Sequence, residues 1–180
     1  NCGIALNVFS VGIDARIANG VKKYKRLPLM KGQGPYLLST AEQLIRGLGR
    51  KYRVTVDGKA YDGSYSLILA ANGKYYGGGF CPVPDADLRD GLLDVLLVKE
   101  VSRLTAAAVI GAYKKGEYAR LPEYMTHLFA RELTVEQTDG NDMEVNMDGE
   151  IVLSNQISAH VVPKGISFAV PVKAVRLVTV

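Results

Sequence analysis

The chain has 180 residues and a mass of 19.5 kDa, which suits one domain with a substantial core. Its 48% hydrophobic and 22% charged content excludes a disordered chain, and no apolar run approaches the ~20 residues a membrane-spanning helix needs. Two cysteines, Cys2 and Cys81, are too few for a disulfide scaffold and fit a reducing compartment, while a net charge of +4 permits an anionic partner without demanding one.

The chain opens at Asn1 on strand-like text with no signal-peptide pattern, so it reads as a segment of a longer protein. A helix is expected over Asp14–Lys25. A second is expected from Ser39-Thr40-Ala41-Glu42, a capping box, with Ala41, Leu44, Ile45 and Leu48 at helical spacing. Tyr52, Val54 and Val56 then alternate with Arg53, Thr55 and Asp57, as a half-buried strand does. Ser66–Ala71 and Leu92–Lys99 are more continuously apolar and suit strands deeper in a sandwich. A third helix starts near Ser102, carries Leu104, Ala108 and Ala112 on one side and stops at Gly116. Leu133 and Val135, then Met143, Val145 and Met147, alternate again with polar neighbours. Ile157–Val162 reads as a deep strand, and Ile166–Val170 and Val172–Val180 as closing strands.

Turn signals punctuate these segments. Asp-Gly stands at 57–58, 62–63, 90–91, 139–140 and 148–149, and Asn-Gly at 19–20 and 72–73. Such pairs favour hairpins because type I′ turns need positive φ at both central residues. The fold class is therefore mainly β: a single antiparallel β-sandwich domain over residues 1–180, with two or three inserted helices.

Several chemistries are absent. There is no GxxxxGK[ST] loop, HExxH, CxxC or GxSxG. His127 and His160 stand in unrelated contexts, which does not support a histidine triad or a zinc site. Gly77-Gly78-Gly79 reads as a turn or as a phosphate cradle. Lys22, Lys23, Lys25, Arg26 and Lys31 form either a solvated helix face or a membrane-surface or nucleic-acid contact. No aromatic interleaving marks a base-stacking surface, so nucleic acid is not an expected partner.

Two acidic constellations remain. Asp85, Asp87, Asp90 and Asp94 lie within ten residues around Gly91. They could gather oxygen ligands for a hard cation, or form a polar loop. Asp148 and Glu150 flank Gly149, and paired carboxylates can divide labour, one orienting while the other accepts a proton. An ordinary Asp-Gly hairpin followed by Glu has the same pattern.

Taken in order, the motifs resemble the C-terminal domain of the diacylglycerol kinase and sphingosine kinase-like bacterial lipid kinases. The resemblance runs through Asn7-Val8-Phe9-Ser10-Val11-Gly12-Ile13-Asp14-Ala15, Ala71-Asn72-Gly73, Gly77-Gly78-Gly79 and Pro84-Asp85-Ala86. It is most specific at Asp87-Leu88-Arg89-Asp90-Gly91-Leu92-Leu93-Asp94-Val95 and closes at Asp148-Gly149-Glu150.

The resemblance implies an ATP-dependent lipid kinase with two domains. A Gly-Gly-Asp-Gly-Thr nucleotide loop would lie in an N-terminal α/β domain, and this chain contains no such motif. It implies a structural Mg2+ site with Asp90 as the side-chain ligand and carbonyls from Asp87 and Leu92. It implies Glu150 as proton acceptor from the lipid hydroxyl, with Asp148 beside it. ATP would be the co-substrate, bound mainly by the other domain, so this chain alone is expected to fold without kinase activity. Its partners would be the lipid substrate, its own N-terminal domain and an anionic membrane surface met by Lys22, Lys23, Lys25 and Arg26. The expected location is cytoplasmic and peripherally membrane-associated, and an exposed sandwich edge could pair strands in a homodimer. The rival readings are an NAD kinase-like fragment and a non-catalytic lipid- or membrane-binding module.

Overall fold

A computed structural model describes residues 3–25, 35, 38–39, 42–43, 47–77 and 79–167. Strand β1 (Val8–Gly12) runs straight into helix α1 (Ile13–Tyr24). Strands β2 (Arg50–Val56), β3 (Lys59–Ala60) and β4 (Gly63–Ala71) follow. Strand β5 (Leu93–Lys99) leads into helix α2 (Arg103–Lys115) and a 3-10 turn at Tyr118–Arg120. The described strands end with β6 (Met125–Ala130), β7 (Glu132–Gln137), β8 (Met143–Met147), β9 (Glu150–Ser154) and β10 (Gln156–His160).

Every ladder is antiparallel, and β4 is the branch point. Its first residues, Gly63–Tyr65, pair with β2. After a register shift between Tyr65 and Leu67, its remainder pairs with β5, while β1 lies on its other side. The strands thus part into a β10-β7-β2 group and a β6-β5-β4-β1-β8-β9 group.

Alternation along the strands builds two cores. Tyr52, Val54, Leu133 and Val135 from the first group meet Phe9, Val11, Ile68, Ala70, Val95 and Leu97 from the second. Leu67, Leu69, Leu96 and Val98 point the opposite way and pack under Val109, Ala112 and Tyr113 of α2. This explains why β4 and β5 read as continuously apolar: both of their faces are covered. Each fully buried side chain of the Ile68 or Leu96 kind contributes about 1.5–3 kcal/mol relative to exposure.

The expected turns form where both residues adopt positive φ. Asp57 and Gly58 have φ 45° and 78°, and Asp148 and Gly149 have φ 50° and 96°. The expected caps of α2 also form. The Ser102 hydroxyl oxygen accepts the Thr105 N–H, and Gly116 closes the helix at φ 72°.

Other expectations are corrected. Asn19-Gly20 lies inside α1 and makes no turn. A Cβ at Gly20 would collide with the Ser39 hydroxyl, so this glycine serves close approach. Ser39 is itself helical and donates to the Ile17 carbonyl at 2.8 Å, so it is not an N-cap. Ala41, Leu44 and Ile45, which the capping-box helix would include, lie outside the described residues. The α2 face toward the core is Ala106, Val109, Ala112 and Tyr113, while Leu104 is 94% exposed. The helix is apolar on several sides, so its sequence does not select one face. Residues 157–160 form not a deep strand but β10, which among the described residues pairs with β7 alone and is largely exposed. Ile166 and Ser167 are not in a strand, and the rest of both expected closing strands lies outside the described residues.

Candidate active site

The Asp148-Gly149 turn joins β8 to β9, with Met147 opposite Glu150. The Asp148 carboxylate points back onto the chain entering β1. It accepts the N–H groups of Leu6 at 2.5 Å, Asn7 at 3.2 Å and Val8 at 2.7 Å. Its lone pairs are therefore committed, and it fixes the turn. Glu150 is the first residue of β9; it is exposed, and its carboxylate makes no hydrogen bond among the described residues. The two carboxylates differ accordingly: one is spent on structure and the other is available to a ligand.

A cavity of about 450 Å³ opens beside the turn. Val8, Ala18 and Phe80 supply apolar wall, while Asp14, Asn146 and Asp148 supply polar wall. Gly149 reaches this wall and Glu150 is the next residue along. Asp14 sits in the first turn of α1 and accepts the Ser10 hydroxyl at 2.6 Å. Burial pushes its carboxyl up to about 6, against the opposing effect of the Ser10 hydrogen bond. Sequence reasoning did not single out Asp14 as a site residue. An acidic residue in a helix's first turn is common, and the Tyr76 hydroxyl that approaches it comes from far along the chain.

The Asp87–Leu92 loop is a chain of tight turns. Asp87 is held by Arg89, whose backbone N–H and Nε donate to it at 3.0 and 3.1 Å. That pairing keeps the Asp87 carboxyl below the usual carboxylate range. The Asp90 N–H donates to the Asp87 carbonyl at 3.3 Å, and the Leu92 N–H to Asp90 Oδ1 at 2.8 Å. Asp90 Oδ2 accepts nothing among the described residues. One carboxylate oxygen and nearby carbonyls are hard donors, which fit Mg2+ in kind. No group of three or more His, Cys, Asp or Glu able to hold a metal occurs among the described residues. Asp94 does not join this loop. It lies in β5, 2% exposed, and meets His127 Nε2 at 2.7 Å. The pairing was invisible in sequence because β5–β6 register creates it.

The remaining expected residues lie apart. Lys22, Lys23 and Lys25 occupy the end of α1 and the residue after it, and Lys23 pairs with Glu42 at 3.5 Å. Arg26 and Lys31 lie outside the described residues. Gly77 and Gly79 adopt positive φ between Tyr76 and Phe80, which bridge one another, so the glycines form a turn. Phe80 lines the cavity just after it.

The branched sandwich and its carboxylate turn define a class: a β-sandwich domain with an acidic turn beside a largely apolar cavity. The family model "YegS C-terminal NAD kinase beta sandwich-like domain" matches residues 7–170. The chain belongs to this family. A Staphylococcus aureus (strain bovine RF122 / ET3-1) protein named "Putative lipid kinase SAB0675c" is 27% identical over 162 residues, 90% of this chain and 52% of that protein. A second, "Putative lipid kinase SAR0780" from strain MRSA252, is 26% identical over the same length. The crystal structure of "a putative diacylglycerol kinase from Bacillus anthracis str. Sterne" matches with TM-score 0.57 and 24% identity. That match covers 88% of this chain and 50% of the other, and it shows a shared fold. The chain spans about half the length of the relatives it matches.

Proposed function

We propose that this chain is the C-terminal half of a kinase that moves the γ-phosphoryl group of ATP to a lipid hydroxyl. The observation that carries the reading is the division between Asp148, committed to three backbone N–H groups, and Glu150, whose exposed carboxylate has no partner among the described residues and which follows Gly149 of the cavity wall.

The lipid oxygen forms the new O–P bond as the bond between the β,γ-bridging oxygen and the γ-phosphorus breaks. ADP leaves, and the hydroxyl proton passes to the Glu150 carboxylate. A positioned carboxylate of this kind contributes roughly 10²–10⁴-fold. Asp148 keeps Glu150 in place by locking the turn to β1. Val8, Ala18 and Phe80 offer apolar surface to the lipid next to its reacting end. Nucleotide binding falls to an N-terminal domain, as the length of the relatives supports, so this chain alone has no turnover.

Asp90, with the Asp87 and Leu92 carbonyls, would hold Mg2+, which would stiffen the loop before β5. Lys22, Lys23, Lys25 and Arg26 would meet an anionic membrane, each basic residue adding about 1 kcal/mol near such a surface. Lys23 keeps 66% of its side chain exposed despite its pairing with Glu42. No described helix is long and apolar enough to cross a membrane.

The test uses a chain carrying both halves, labelled ATP, magnesium and a panel of lipid alcohols. Wild type labels a lipid, while a folded Glu150→Gln variant loses at least a hundredfold. Equal labelling by the two removes Glu150 from the chemistry. No labelled lipid, with labelled NAD instead, replaces the lipid reading by the NAD kinase one.

A further inference from the structure

Asp14 has no part in the phosphoryl-transfer step above, yet hydrogen bonds connect it to the turn that carries Glu150. The Gly149 N–H donates to Asn146 Oδ1 at 2.8 Å. Asn146 Nδ2 donates to Ser10 Oγ at 3.3 Å. The Ser10 hydroxyl donates to Asp14 Oδ2 at 2.6 Å. Ser10 and Asn146 are paired across β1 and β8 and are buried, at 0% and 7% exposure. Every donor in the series points the same way, toward the carboxylate. Such chains polarise one another and strengthen along their length.

We propose that Asp14 is a positioning residue for the Asp148-Gly149-Glu150 turn, acting through Ser10 and Asn146. The ionised carboxylate requires Ser10 to donate. That leaves the Ser10 oxygen as acceptor for the Asn146 amide nitrogen. The amide is thereby oriented with its oxygen toward the Gly149 N–H. A protonated Asp14 can donate instead of accept, and the orientation of the whole series loses its source.

The groups around Asp14 are few. Tyr76 brings its hydroxyl within 3.5 Å of Asp14 Oδ2 and meets the Tyr113 hydroxyl of α2 at 2.5 Å. Burial raises the Tyr113 phenol well above its usual value, so that phenol stays neutral. Asp148 shares the cavity wall, and Arg16 adds positive charge from the same helix. The other strands packed on α1 bring Glu144 on β8 and Glu150 on β9, while β1 and β4 bring no charged side chain to it. The carboxyl's raised value, about 6, puts its ionisation inside an accessible pH range.

The inference rests on the kinase reading only for its effect on turnover; the link from Asp14 to Gly149 stands by itself. The first test follows the Gly149 amide proton of this chain by NMR from pH 4.5 to 8. A single transition near pH 6 is expected. It should vanish in the near-isosteric Asp14→Asn variant and shrink in Asn146→Ala, with the other amide signals reporting an intact fold. A Gly149 signal that does not move, or that moves equally in Asp14→Asn, overturns the proposal.

The second test measures lipid phosphorylation in a chain with both halves. Asp14→Asn should lower kcat roughly ten- to a hundredfold and leave the KM for ATP unchanged, as a misplaced group does. It should also remove the acid limb near pH 6. Full turnover in Asp14→Asn beside an inactive Glu150→Gln overturns the proposal. Full turnover in Glu150→Gln overturns the proton-acceptor reading instead, and an intact Gly149 transition then upholds the link.

Discussion

Asp148 accepts the Val8 N–H at 2.7 Å across 140 positions of sequence. The β8–β9 turn thereby holds the start of β1, and Asp148 adopts φ 50° to do so. Asp57 repeats the device. It is the first residue of the Asp57-Gly58 turn, and its carboxylate accepts the Arg131 and Glu132 N–H groups at 2.9 and 2.8 Å. In each case charge-assisted bonds offset the strain of a left-handed non-glycine residue. Asp148→Ala should therefore destabilise the domain by about 1–3 kcal/mol, because three N–H groups lose their acceptor. Asp148→Asn should fall between, since it retains one acceptor oxygen. Urea unfolding of the three proteins checks the order. Equal midpoints would mean that water replaces the carboxylate at no cost.

Gly12 makes the passage from β1 to α1. Its φ is 110°, and a Cβ there would collide with the Ser66 carbonyl oxygen on β4. The obstacle is backbone, which cannot swing aside as a side chain does. Gly12→Ala should cost more than about 2 kcal/mol, combining conformational strain with displacement of a central ladder. Gly140→Ala is the control. It shares a positive φ of 78° but meets nothing within 4 Å, so strain alone acts there. The difference between the two melting temperatures isolates the clash.

The parts legible in sequence are those decided locally. Tyr52, Val54 and Val56 face the core as their alternation predicts, and Ser102 and Gly116 bound α2 because caps act over one turn. The ordered motifs from Asn7 to Glu150 located the family before any strand was paired. What stayed illegible depends on pairings between distant strands. Asp94 read as a fourth loop carboxylate, since nothing local tells that β5 buries it against His127. Residues 157–162 read as a deep strand, since the local pattern does not tell a strand paired on both sides from one that pairs, among the described residues, with β7 alone. Asp14 resembled an ordinary helix-start acid, since nothing local tells that it meets Ser10, lines the cavity and faces the Tyr76 hydroxyl. The role of Asp148 was similarly hidden, because its three donors lie at the other end of the chain.

The Asp94–His127 pair joins adjacent strands diagonally, with Asp94 opposite Phe129 and His127 opposite Leu96. His127 also stacks on Tyr118 at 4.6 Å and meets the edge of Phe129 at 4.9 Å. Its side chain is 12% exposed and that of Asp94 only 2%. Removing one partner leaves a buried carboxylate without its donor. His127→Ala should therefore cost about 3–5 kcal/mol, whereas the double variant Asp94→Leu/His127→Leu should recover much of that loss. A double-mutant cycle in chemical denaturation reads the coupling. Strictly additive losses would show that packing on Tyr118, rather than the pair, sets the cost.

Asp14 should make the stability of the domain depend on pH in a direction opposite to that of an ordinary paired carboxylate. Its folded value is raised, from 3.8 to about 6, chiefly by burial. The folded state therefore holds the proton more tightly than the unfolded chain. The resulting stabilisation is fully present below about pH 4 and is lost as pH rises through about 6. A rise of that size corresponds to at most about 3 kcal/mol. Asp14→Asn removes this dependence because the amide does not titrate. The stability of the variant minus that of wild type should therefore grow by about 2–3 kcal/mol between pH 4 and 7, with its midpoint between the two titrations. Because it is a difference, the other carboxylates cancel. Urea unfolding of both proteins at five or six pH values gives the curve. A flat difference would mean that Asp14 ionises as readily in the folded domain as in the unfolded chain. A rising one would mean that the domain gives up stability at neutral pH to keep a charge behind the Gly149 turn, as a group retained for the site rather than for the fold would do.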